Sequence, residues 1–359
     1  MHSFLQIFPF LSNGVFIALI AHGLIGISLV WDKVLLKQPE TKNLVSYVFW
    51  LGAISVFGLA LIPFGFKTPP TWVAGLAFGT GILHLIAVYF YYAALKAGEA
   101  SQTLAVMGGF SPVATALIGI PLLRSQLGGY SLIAFALLSA GGFVMFFAER
   151  VPLRKMLFRV LMASIAFGLV NVLEKLVYEN TNFVSGYVFF TFGTFIAAMA
   201  MLILPNWRSQ IKKESDNAEP SSRFWYFVNR FVAGVGSFLI FYAISLTNPA
   251  LVDSITAVRY VIIFLGAYAL TKLRPVWLCE NFTGKVLLSK AGATLMVIAG
   301  LVILGYTGKG QAGSPSTRLT PLVPRHHYGV ECHHDYVEGH HAQRLVFLSP
   351  RAIQYSADS

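Results

Sequence analysis

Stretches of about 20 apolar residues alternate with short polar breaks along most of this chain, and the polar side chains gather in the breaks instead of recurring every three or four positions. A helix that faces water on one side shows the recurring pattern, whereas a helix surrounded by hydrocarbon shows the clustered one. A bilayer core about 30 Å thick takes roughly 20 helical residues to cross. Ten such helices are predicted, at about 12–34, 44–66, 71–95, 100–122, 129–148, 156–177, 184–205, 224–246, 250–271 and 285–306.

Composition narrows the class. With 56% hydrophobic and 11% charged residues, the chain has too few ionisable groups to cover a water-facing surface. The fold class expected is an all-α integral membrane protein. The first apolar stretch exceeds the 7–15 residues of a secretory signal core, so no cleavage is expected. Cys279 and Cys332 are the two cysteines, which leaves no disulfide framework and no metal-type spacing. A net charge of +11 would suggest nucleic acid in a soluble protein, but here the bases sit in connections flanking apolar stretches, where they set orientation. No nucleic-acid partner is expected. Lys37, Lys42, Arg150, Arg154, Lys155, Arg208, Lys212, Lys213, Arg223 and Arg274 follow odd-numbered spans, against Lys67 and Arg124 after even-numbered ones. The positive-inside rule then puts both termini outside the cytoplasm.

The chain also repeats itself. GISLVWDKVL at Gly26 to Leu35 matches GLVNVLEKLV at Gly168 to Val177, which sets Asp32 against Glu174. SYVFW at Ser46 matches GYVFF at Gly186, and FYYAALKAGEA from Phe90 matches IFYAISLTNPA from Ile240, with Tyr92 over Tyr242. Two copies of five spans follow. Five is odd, so the second copy enters the membrane from the opposite face, and the organisation expected is ten transmembrane helices as two inverted five-helix repeats. Residues 1–148 form the first repeat, 149–306 the second, and 307–359 a polar tail expected to be disordered. Inverted repeats are a construction of secondary transporters, because two halves around one site supply two exchangeable conformations.

These residues resemble the drug/metabolite transporter superfamily, in particular its EamA-like members. The stretch YYAALKAGEASQTLAVMGGFSPVATALIG from Tyr91 to Gly119 is similar to the third and fourth spans of that family: an aromatic and Ala-Leu pair, a base, an Ala-rich turn, then a mid-helix Ser-Pro with small residues after it. The resemblance covers residues 1–306 and implies a metabolite or drug carrier with cytoplasmic termini, against the loop charges. The second copy departs from the first: TAVRYVIIFLG from Thr256 lacks a counterpart of Pro112 and carries Arg259 where the first copy has Gly109.

Candidate chemistry is confined to a few intramembrane polar groups. Arg259 cannot shed its proton, and a charge near the bilayer centre costs at least about 2.5 kcal/mol, so it faces a partner or a wet cavity. It either docks an anionic substrate group or locks two helices. Asp253 lies six residues earlier, rotated by about 240° on an ideal helix, so the two do not stack. Asp253, Thr256 and Tyr260 form a polar stripe beside Arg259; Asp253 either takes a coupling proton or caps the helix after Asn248 and Pro249. His22 and His84 fall near the centres of the first and third spans, where they bind a proton or hydrogen-bond a Ser or Thr of a neighbour. Asp32-Lys33 and Glu174-Lys175 stand at span ends, where long side chains snorkel, with Glu174 also a candidate pathway residue. Gly108, Gly109 and Pro112 mark a hinge or a static kink in the fourth span. Gly75 and Gly79 form a GxxxG for close helix contact. Tyr92 and Tyr242 are interface anchors or substrate contacts. In the tail, His326-His327, His333-His334 and His340-His341 recur every seven residues and are taken as fortuitous, with no metal expected.

The function expected is a secondary transporter that moves a small polar or amphipathic metabolite, or a drug, by alternating access, with spans one, three, four, six, eight and nine around a midplane cavity. No phosphate-loop motif is present, so coupling would come from an ion gradient, with protons the candidate, or from exchange. An enzyme is not expected, since no HExxH or comparable constellation occurs, and no cofactor is expected. A lipid-linked sugar flippase is the alternative within the class, and a structural scaffold the alternative outside it. The membrane expected is the plasma (inner) membrane.

Overall fold

The computed structural model describes residues 13–35, 43–97, 100–124, 128–148, 153–217, 220–259, 261–263, 265–266 and 284–308. Tyr260, Cys279 and the histidine pairs of the tail lie outside them.

Among the described residues every regular element is helical. They are α1 (Gly14–Leu35), α2 (Leu44–Ile54) continued by a 3-10 segment (Ser55–Phe64), α3 (Thr71–Ala97), α4 (Ala100–Leu123), α5 (Gly129–Ala148), α6 (Leu153–Asn180), α7 (Phe183–Met201), α8 (Pro205–Asn217), α9 (Pro220–Leu246), α10 (Pro249–Ser254) and α11 (Gly284–Gly308). Among the described residues seven stretches are long and apolar enough to cross a membrane: Gly14–Asp32, Leu44–Phe64, Thr71–Ala97, Val106–Leu123, Met156–Asn180, Phe183–Met201 and Arg223–Leu246. Gly129–Val144 and Ala291–Ile303 are shorter apolar helices at two further expected spans.

Asparagines start four of the helices. Asn13 accepts from Val15 N–H, Asn43 from Val45 and Ser46, Asn182 from Ser185, and Asn248 from Ala250, so each first turn receives a side-chain acceptor that hydrocarbon cannot supply. Gly65, at φ 117°, ends the 3-10 segment in the left-handed region that a side chain would disfavour.

The break between the seventh and eighth expected spans is itself a helix. In α8, Ile211 is buried and Trp207 stacks on Tyr89 of α3, with ring centroids 6.4 Å apart, while Arg208, Lys212 and Lys213 are exposed. That is an amphipathic helix lying along one end of the bundle, tied to the start of α2 by Asn43 Nδ2 donating to Gln210 Oε1 at 3.0 Å.

Packing interlocks the two halves of the sequence. α1 lies along α9, α3 against α6 and α7, α4 against α5 and α6, and α11 on α5. The closest approach uses glycines other than the GxxxG: a Cβ on Gly75 or Gly79 would meet nothing within 4 Å, whereas one on Gly81 would fall 2.0 Å from Phe190 O and one on Gly193 2.1 Å from Phe78 O. Close α3–α7 contact therefore rests on Gly81 and Gly193. The GxxxG expectation is corrected, because Gly75 and Gly79 face away from every neighbour.

Candidate functional site

The ninth segment breaks where its polar residues begin. After Ser254 the backbone tightens from α to i→i−3 bonding, with Thr256 N–H donating to Asp253 O at 3.0 Å and Arg259 N–H to Thr256 O at 2.9 Å. His22 of α1 reaches in from the side: its Nε2 donates to Val252 O at 2.8 Å, and its Nδ1 accepts from Arg259 Nε at 2.8 Å. One neutral tautomer satisfies both bonds, and the imidazole joins α1 to the broken helix on either side of the break. A Ser or Thr partner for His22, expected from sequence, is not used.

Asp253 takes hydroxyls from two elements. Ser111 and Thr115 of α4 donate to Oδ2 at 2.8 and 2.5 Å, and Thr256 donates to Oδ1 at 3.4 Å. A carboxylate that only accepts suits three donors. Capping is not its role, because Asn248 fills that position.

A second polar cluster caps one end of the helices. Asp32 is fully buried and pairs with Arg230 of α9, while Tyr47 and Asn229 donate to Oδ1 at 2.5 Å and Tyr92 donates to Oδ2 at 2.7 Å. Arg230 also donates to the Tyr92 hydroxyl at 2.8 Å and sits 5.3 to 5.9 Å from the ring centroids of Tyr47, Tyr226 and Tyr92. The snorkelling expected of Asp32 is corrected: its carboxylate is sealed inside α1, α2, α3 and α9, where a charge needs a cation and full hydrogen bonding. Arg230 escaped the sequence reading. The usable signal was an arginine seven residues into the expected eighth span, the same signal that singled out Arg259.

Both clusters line one cavity of about 750 Å³, within the range of small-molecule sites. It runs from Asp32, Tyr92 and Arg230 past His22, His84 and Asn171 to Asp253, Thr256 and Arg259. Spans two and seven contribute as well, through Leu51–Leu61 and Tyr187–Thr194, which the expected lining omitted. The hydroxyls of Ser28 and Tyr91 and Nδ1 of His84 are buried in this lining without a hydrogen-bond partner among the described residues. His84 instead packs edge-on against Phe167, Phe190 and Phe241, at 5.1 to 5.9 Å.

Of the residues singled out from sequence, Arg259, Asp253, Thr256, His84, His22 and Tyr92 share this lining. Glu174 and Tyr242 stand outside it. Glu174 is fully buried in α6, one turn from Tyr178 and near Tyr187, and neither oxygen has a partner within hydrogen-bond geometry. Snorkelling is corrected here too, whereas Lys175 donates to Ser245 O at 3.3 Å and approaches Glu179 at 4.0 Å. Tyr242 packs on Phe183 and Phe238. Gly108, Gly109 and Pro112 lie within α4, which runs on to Leu123; a Cβ on Gly142 would fall 2.6 Å from Gly109 N, so the glycine pair admits α5.

Comparison with known proteins places the first half. Residues 12–147 match the EamA-like transporter family, part of the drug/metabolite transporter superfamily, which supports the resemblance seen in the sequence. No curated protein matches the chain. A solved crystal structure described only as that of a protein aligns with 84% of this chain and 99% of its own, at 14% identity and a TM-score of 0.54, which is a likeness of fold. The apolar helices, with the match over residues 12–147, support a multi-pass integral membrane protein, and the matched family is one of transporters.

Proposed function

We propose, from the premise of an EamA-like transporter, that the protein is a secondary carrier that moves a small polar or amphipathic metabolite through the central cavity by alternating access. Its ten transmembrane helices form two inverted five-helix repeats. The packing supports this: α1 lies along α9 as α6 lies along α3, so first and eighth spans pair as sixth and third do. That exchange of partners is what two inverted copies require.

The observation that carries the function is the cavity itself, roofed by paired charges and floored by a broken helix amid apolar spans. Arg259 offers its guanidinium to an anionic group of the substrate, Asp253 with its three hydroxyls an acceptor for a cationic group or a coupling proton, and Ser28, Tyr91 and His84 unspent polar atoms for the remainder. Glu174 and Tyr242 act behind the pathway wall, and Gly108, Gly109 and Pro112 serve as a flexing point where α4 meets α5. Coupling is to an ion gradient or to exchange.

Counterflow into proteoliposomes with amino acids, amines and nucleotide sugars tests the reading. A solute accumulated by the parent is expected to be lost with Arg259→Ala, while equal transport of anionic solutes by both proteins would overturn the anion-docking role.

A further inference from the structure

The two halves of the sequence do not pack alike, and the difference leaves an opening. α3 and α7 meet through Gly81 and Gly193. In the sequence match, the counterpart of Gly81, eleven residues before Tyr92, is Phe231, eleven before Tyr242; the counterpart of Gly193, six after Tyr187, is Ala53, six after Tyr47. A phenylalanine cannot occupy a site where even a Cβ would strike a backbone oxygen. The pair that would correspond to α3 with α7, namely α9 with the second span, accordingly stands apart.

The boundaries of the gap are plain. At one end Tyr47 packs on Tyr226 and Trp50 on Phe227, with ring centroids 4.9 and 6.0 Å apart. Beyond them the 3-10 segment leans away from α9 and onto α7: Ser55 Oγ is within bonding distance of Thr191 O at 3.0 Å, and a Cβ on Gly58 would fall 2.3 Å from Thr191 Oγ1. Phe57 and Phe231, 73% and 72% exposed, stand on the outer surface and line the cavity at the same time, as do Gly234 and Val235. Gly234 lies eleven residues from Arg223 and twelve from Leu246, the ends of its apolar span, and a Cβ there would meet nothing within 4 Å. This opening therefore faces hydrocarbon at mid-bilayer, not water or headgroups.

The geometry points to a lateral portal between the 3-10 segment and α9, through which the apolar part of a membrane-partitioned amphipath reaches the cavity while its polar head takes Asp253 and Arg259. The assignment of the head rests on the carrier reading; the portal does not. Phe57, Phe231 and Val235 offer an alkyl or aryl tail the same surroundings as lipid, so a tail crosses this gap at little cost, whereas a hydrated ion would have to shed its water. The substrate class is thus an amphipath drawn from the bilayer.

A bimane reporter at Met107→Cys, inside the cavity, tests this in nanodiscs, with Cys279→Ser and Cys332→Ser removing other thiols. The probes are phosphatidylcholines dibrominated deep in the acyl chain or close to the headgroup. The reporter is expected to be quenched by the deep bromines more than by the shallow ones, equally so with Gly234→Ala, and to lose that quenching with Gly234→Phe, which fills the portal. A parent reporter that no brominated lipid quenches, or one that Gly234→Phe leaves equally quenched, overturns the portal. Because the readout needs no transport, a carrier that fails every counterflow assay still passes or fails here on its own.

Discussion

Asp32 and Glu174 occupy matching places in the two related stretches and are equally buried, yet their surroundings differ. Asp32 has an arginine, two tyrosines and an asparagine on its oxygens; Glu174 has a tyrosine nearby and no hydrogen bond within geometric limits. The tyrosines repeat in sequence, Tyr47 with Tyr187 and Tyr92 with Tyr242, so the asparagine and above all the cation make the difference. Arg230 lies twelve residues before Tyr242, and the position twelve before Tyr92 is Thr80, whose hydroxyl donates to Leu76 O within its own helix. One end of the cavity is thus latched by a charge pair, whereas the matching acid in the second copy stands outside the lining without a base.

The comparison breaks most severely at Arg230. Arg230→Ala leaves Asp32 buried without a counter-charge, and a loss of about 3 to 5 kcal/mol is expected, read as a lower unfolding temperature in detergent. Asp32→Leu with Arg230→Met is expected to restore most of it, because an apolar pair of similar volume has no desolvation to offset. A third carboxylate stands between the extremes. Glu214 of α8 accepts from Asn43 N–H at 3.2 Å, and its partial burial raises its pKa from 4.5 to about 7, opposed by that bond and by Lys96. The folded protein holds a proton there that the unfolded chain releases, so stability is fullest below about pH 4.5 and declines as pH rises through about 7. Thermal unfolding between pH 5 and 8 checks it, with a flatter profile expected for Glu214→Gln. The smallest effect belongs to Glu174→Gln, expected to shift stability by under about 1 kcal/mol, since no ion pair is broken. A loss matching that of Arg230→Ala would erase the contrast.

Helix positions were legible because hydrocarbon imposes length and apolarity together, and α1 to α7, with the 3-10 continuation of α2 included, begin and end within a few residues of the expected spans. α8 was hidden because its apolar residues, Trp207 and Ile211, are too few among the bases to register as a span. His22, Asp253, Thr256 and Arg259 were found as intramembrane polar groups, yet the kinked backbone that lets His22 grip Val252 O leaves no mark in residue types. Asp32 was assigned to the surface from its place at a span end; burial there depends on Arg230, almost 200 residues away, and pairings at that distance are set by packing. Gly81 and Phe231 carry the portal, and only the structure gives their matched positions meaning.

Accessibility of Ser28, one turn before Asp32 in the cavity lining, tests the latch most directly. With Ser28→Cys as the sole thiol, a charged, membrane-impermeant maleimide is added at the face that carries Asn43 and α8. Slow labelling is expected in the parent. Arg230→Lys keeps the charge but gives up the planar fork, and should speed labelling about tenfold, the factor that 1.4 kcal/mol of lost closure supplies. Equal rates in the two proteins would contradict a latch at Asp32 and Arg230.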